Sequence, residues 1–123
     1  MPYVGRGRHT RSMAYDEGLA QRIRDLLAGE TGVVEKRMFG GLAFLVGGHM
    51  AVAATGDEGV MVHVDEGLAA ELAQREGLEP MVMRGRPMRE WVHSEGAAAD
   101  DEDLLAELVR LGVERARAQP PKT

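Results

Sequence analysis

Two short basic segments hold the side chains best suited to recognition chemistry. "EKRMFGG" contributes Lys36, Arg37, Phe39, Gly40 and Gly41. "MRGRPMREW" contributes Arg84, Gly85, Arg86, Pro87, Arg89 and Trp91. A guanidinium presents a planar fork of donors that matches a carboxylate or a phosphate. Aromatic rings beside such forks supply apolar walls or a stacking surface, and glycines permit close backbone approach. Folded together, the two segments would form a cationic patch with apolar walls. The same residues also admit a plain structural reading. In it, Gly85-Arg86-Pro87 is a turn, the arginines pair with local acids and Trp91 fills the core.

Other chemistry is harder to find. His9, His49, His63 and His93 are far apart in sequence, and none forms an HExxH pair. Three of them can fall on neighbouring strands, which makes a metal site only in a favourable register; exposed strand or turn histidines are the simpler reading. "GGLAFLVGG" lacks the Lys-Ser/Thr ending of a phosphate loop. Asp100–Asp103 lack the interleaved spacing of an EF-hand and suit a solvated helix start. Asp57-Glu58 reads as turn chemistry. No hydroxyl has a recognisable nucleophile motif, and with no cysteine in the chain thiol chemistry and disulfides are excluded. Neither a catalytic residue nor a metal or cofactor is expected. Met38, Met50, Met61, Met81, Met83 and Met88 gather in the strand region. They are read mainly as flexible core filling, with an adaptable partner surface as the alternative.

These residues must be positioned by a chain of 123 residues, which suits one domain with a sizeable core. The formal charge is −5. Arg6, Arg8 and Arg11 make residues 1–12 basic and free of acids, so the remainder is more acidic than the whole. An acidic body is a poor general match for a nucleic-acid backbone, although a local basic patch can still bind one. Residues 1–12 are expected to be a flexible arm, 13–120 the folded domain and 121–123 a tail. No apolar run is long enough to span a membrane and no signal-peptide core is present, so the expected location is the cytoplasm.

Periodicity supplies the elements. Asp16 caps a first helix to about Ala28, with Leu19, Ile23, Leu26 and Leu27 on one face. Val33-Val34 lead into an apolar run over Arg37–Val46. Gly47-Gly48 then make a tight hairpin to His49–Ala54. Val60, Val62 and Val64 alternate as a third strand. Asp65 caps a helix from Glu66 to about Arg75. Glu79–Met83 and Met88–His93 read as two strands around the Arg84–Pro87 interruption, with Met88, Glu90 and Val92 on one side and Arg89, Trp91 and His93 on the other. A last helix runs from Asp101 to about Ala118, acidic at its start and basic at its end. The expected fold is a single α+β domain in the order α-β-β-β-α-β-β-α, a mainly antiparallel sheet with helices packed on it.

"MAYDEGLAQRIRDLL", "EKRMFGGLAFLVGGHMAV" and "MRGRPMREWV" resemble the N-terminal domain of the TfoX/Sxy family, over about Met13 to Pro120. The pairing of "KRMFGG" with a later "MRGRPM" carries the likeness. The resemblance implies this same fold and a bacterial cytoplasmic protein. Longer family members regulate natural competence as transcriptional co-activators and carry a second, C-terminal domain. This sequence ends at Thr123, so the expectation is a stand-alone N-terminal-type domain to which the competence role does not transfer intact. The resemblance brings no catalytic residue with it. The expected function is a non-enzymatic regulatory module that binds a protein partner. The alternative is a binder of an anionic small molecule or nucleic acid at the arginine/aromatic patch. A homodimer formed through an unpaired outer strand is a further expectation.

Overall fold

The computed structural model describes residues 15–38, 40–56, 59–96 and 100–120. The expected arm at 1–12, Phe39, the Asp57-Glu58 turn and the tail at 121–123 lie outside the described residues. The elements run α1 (Glu17–Leu26), β1 (Val33–Met38), β2 (Gly41–Val46), β3 (His49–Ala54), β4 (Val60–His63), α2 (Glu66–Leu72), β5 (Leu78–Met83), β6 (Arg86–Ser94) and α3 (Glu102–Arg117).

Each helix starts on an aspartate. The Asp16 carboxylate accepts from the amides of Gly18 and Leu19 at 2.8 and 3.2 Å. Asp65 accepts from Leu68 at 2.9 Å. Asp101 accepts from Asp103 and Leu104 at 3.0 and 3.1 Å. Each cap satisfies donors that have no partner in the helix, a contribution of about 1 kcal/mol. The acids flanking Asp101 do more than answer the helix dipole: Arg22 of α1 reaches Asp100 and Glu102 and ties the two helices together.

The strands form one antiparallel sheet in the order β1-β2-β3-β4-β6-β5. The expected run over Arg37–Val46 is divided between β1 and β2, so four strands rather than three precede α2. The division falls where the sequence has Gly40-Gly41. Gly40 takes a left-handed φ of 72° that most side chains avoid. At Gly41 a Cβ would run into the Ala54 carbonyl of β3. An apolar run therefore reads continuously while its backbone reverses.

The sheet has two unlike faces because successive side chains point opposite ways. One face carries Leu42, Phe44, Val46, Val52, Val60, Val62 and Val92 into the main core with Ile23 of α1, Leu72 of α2, and Leu105 and Leu108 of α3. The other face holds Ala43, Ala53 and Met61, with Met38, Leu45, Met50, Met81, Met83 and Trp91 packed against them. Among the described residues no helical side chain joins this second cluster, and no methionine enters the first.

Candidate interaction surface

The second basic segment forms the tip of the β5–β6 hairpin. Met83 pairs with Arg86, which leaves Arg84-Gly85 as a two-residue loop. Both loop residues have positive φ, 55° and 77°, the pattern of the type I′ turn that matches the twist of paired strands. Asn-Gly is the favoured sequence there. An arginine in the left-handed region costs roughly 1–2 kcal/mol, and Arg84 is the one described non-glycine residue with positive φ. Arg84, Arg86, Pro87 and Arg89 are all exposed. Elsewhere Arg22, Arg24, Arg75, Arg110, Arg115 and Arg117 each meet a carboxylate. Arg84, Arg86 and Arg89 meet none among the described residues. Their side chains are exposed, and among the described residues no carboxylate has to be displaced first.

The first basic segment lies elsewhere. Lys36 is exposed on β1 and stands opposite Ala43 on the helix-free face. Arg37 stands opposite Leu42 on the helix-covered face, close enough to the Tyr15 phenol to act on its titration. Burial raises that phenol's pKa, with Glu17 acting in the same direction and Arg37 opposing. Gly40 and Gly41 serve the β1–β2 reversal, and the close approach at Gly41 is to the neighbouring strand. Four strands, β2, β3, β4 and β6, separate β1 from β5. Five strand spacings make roughly 24 Å across the sheet. The β1–β2 turn also shares its end of the sheet with the β3–β4 turn, whereas the β5–β6 tip lies at the end with the β2–β3 turn. The structure does not bring the two segments together. Arg84, Gly85, Arg86, Pro87, Arg89 and Trp91 stay near one another on β5–β6, and Lys36 and Arg37 belong to the far edge.

Trp91 does not enter the main core. It stacks on His63 across the β4–β6 pair, with ring centroids 4.7 Å apart and planes 17° from parallel. His63 Nε2 is 3.1 Å from Glu90 Oε1. The same carboxylate oxygen accepts from the Arg115 guanidinium of α3 at 3.0 Å. Arg115 first and His63 second hold the Glu90 carboxyl below its ordinary pKa. Beside this group, His93 Nδ1 lies 2.6 Å from Glu79 Oε2. His49 Nε2 lies 2.6 Å from the Pro120 carbonyl. Three histidines thus occupy neighbouring strands, and each has its own oxygen partner. Among the described residues no three His, Asp or Glu side chains converge as a metal site. Sequence reading did not anticipate the His63–Trp91–Glu90–Arg115 group, because the strand register and a helix 25 residues away along the chain assemble it.

A groove of about 550 Å³ runs between α1 and α3. Leu27, Val109 and Val113 line it, and the Glu30–Arg117 and Arg110–Glu114 pairs mark its rim.

A sequence model described as the TfoX N-terminal domain matches residues 25–116. The chain belongs to that family. The TfoX N-terminal match begins within α1, ends within α3 and contains the whole sheet together with both basic segments. No curated protein and no solved structure matches the chain. Among the described residues no helix is long and apolar enough to cross a membrane.

Proposed function

We propose that this TfoX N-terminal domain is a non-enzymatic regulatory module of the bacterial cytoplasm that docks a protein partner bearing acidic groups. The β5–β6 hairpin is its anchor. One observation carries the reading: Arg84, Arg86 and Arg89 have no carboxylate partner among the described residues, whereas Arg22, Arg24, Arg75, Arg110, Arg115 and Arg117 each meet at least one. Arginine, tryptophan and methionine are favoured at interfaces because they combine reach, area and adaptability. Met81, Met83 and Trp91 stand on these same two strands and offer the apolar contact beside the charge. A transcription-linked role follows from the resemblance to the longer TfoX/Sxy proteins and belongs to this proposal.

The test compares wild type with the Arg84→Ala/Arg86→Ala chain as bait in a lysate of the native host. Loss of two charge-assisted contacts is expected to reduce capture of the specific partner by roughly tenfold or more. Identical partner sets from both baits would sink the proposal. The same unpaired forks also suit an anionic small molecule or nucleic acid. Binding of single-stranded oligonucleotides or nucleotides at low salt, lost steeply as salt rises and absent in the double variant, would favour that second reading.

A further inference from the structure

The two edges of the sheet are guarded differently. β5 carries Pro80, which offers no amide, and its pairing with β6 shifts register between Pro80 and Met81. Both features discourage a further strand. β1 has neither. Val34, Glu35, Lys36 and Arg37 are exposed in succession, and Val34 is 58% exposed, the highest value among the large exposed apolar side chains Leu26, Val34 and Val82. The register says which backbone groups of β1 face outward. Gly47 N donates to Gly32 O just before the strand, and Met38 closes a two-residue connection on Gly41. Even-numbered residues therefore pair toward β2, and Val33, Glu35 and Arg37 turn their N–H and C=O groups away from the sheet.

We infer that β1 is a self-association edge whose occupant is the β1 strand of a second copy of this chain, antiparallel about a twofold axis at Lys36. The outward groups must form the hydrogen-bonded pairs, which permits few registers. Centring on Glu35 opposes two carboxylates, and centring on Arg37 opposes two guanidiniums. Centring on Lys36 places Glu35 opposite the partner's Arg37 and Arg37 opposite the partner's Glu35. Both side chains stand on the helix-covered face. Glu35 there already accepts from Arg24 at 2.5 and 2.8 Å, and a carboxylate has lone pairs for a second guanidinium. The same register sets Val34 against the partner's Met38 twice, on the helix-free face. Lys36 faces its own copy at the axis and works against pairing, although its long stem lets the ammonium splay into solvent. The product is one continuous twelve-stranded sheet with α1, α2 and α3 of both copies on one side. This edge is the one the arginine hairpin does not use, so the two proposals stand or fall separately.

The chain has no cysteine, so a single introduced thiol reads the register. Across the axis the two Lys36 Cα atoms would lie roughly 4.5 Å apart, as in a non-hydrogen-bonded pair, within the range a disulfide spans. The two Val34 Cα atoms would lie roughly 14 Å apart. Lys36→Cys is expected to give a covalent dimer under mild oxidation, and Val34→Cys is not. By sedimentation the unoxidised wild type is expected to be a reversible dimer. Glu35→Arg alone and Arg37→Glu alone are expected to weaken it roughly tenfold each. Mixing those two folded variants is expected to restore a dimer, because each then presents the complement of the other. A wild type that stays monomeric, a dimer indifferent to both charge changes, equal cross-linking at the two thiol positions, or no recovery on mixing would overturn the inference. Circular dichroism of each variant keeps misfolding from counting as dissociation.

Discussion

The two faces of the sheet share one backbone and differ in nearly everything else. The helix-covered face is built from Leu, Val, Phe and Ala, with Phe44, Val46, Val52, Val60 and Leu105 fully buried. The other face is floored by Ala43 and Ala53 and covered by methionines and Trp91. Branched and aromatic side chains in fixed rotamers pack to crystal-like density and define one structure. Methionine is softer and accommodates change. The contrast separates a face packed by branched side chains under the helices from a face covered by flexible ones, and it puts His63, His93 and Trp91 on the second.

The sharpest way to break this contrast is to truncate matched residues on the two sides. Phe44→Ala is expected to cost about 3–5 kcal/mol through lost transfer energy and an unfilled cavity. Met83→Ala, half-buried on the other side, is expected to cost under about 1 kcal/mol. Urea unfolding of both variants measures the gap, and equal losses would erase the distinction. Next in size is Gly112→Ala. Helix α3 comes so close to β3 that a Cβ there would strike the Ala51 carbonyl oxygen. Moving the helix is expected to cost about 1–3 kcal/mol, seen as a lower urea midpoint with an unchanged slope.

A smaller effect should have the opposite sign. Arg84→Asn supplies a residue that tolerates the left-handed turn, and a gain of about 0.5–1 kcal/mol is expected in thermal unfolding. The same change should weaken partner capture. A variant that lost stability would mean that the guanidinium holds the hairpin rather than waiting for a ligand. The smallest effect concerns Glu90, which links the two faces through Arg115 and His63. Its folded pKa lies below its ordinary value of 4.5. Its contribution is therefore present above that value and lost as pH falls through the lower, folded one. The Glu90 side chain is 46% exposed, so about half a kcal/mol or less is expected. Glu90→Gln should be slightly less stable at neutral pH, and the difference should close as the solution is acidified below pH 4.5.

Much of the fold was legible because its signals are local. Asp16, Asp65 and Asp101 announce helix starts through side chains that reach only two or three residues forward. Val60, Val62 and Val64 announce a strand by alternation. The β1–β2 reversal was less visible, because Met38 to Val46 reads as one apolar run and the collision that requires glycine at 41 comes from Ala54 on another strand. The methionines do fill a core cluster, with Met61 buried and Met38, Met50, Met81 and Met83 packed against it. Sequence shows that they are apolar and lie on strands, but which face the helices choose to cover is set by α1, α2 and α3 together.

Composition, capping and periodicity by themselves determined one α+β domain, its helices, most of its strands and the two basic segments that mark the family. Only the tertiary structure decided that those segments lie on opposite edges of the sheet. Strand order is set by long-range pairing, which no local pattern encodes. It also decided which arginines have carboxylates. An ion pair such as Arg117 with Glu30 depends on chain segments 87 residues apart meeting in space. The exposed forks of Arg84, Arg86 and Arg89 became recognisable only once every other part of the chain had taken its place.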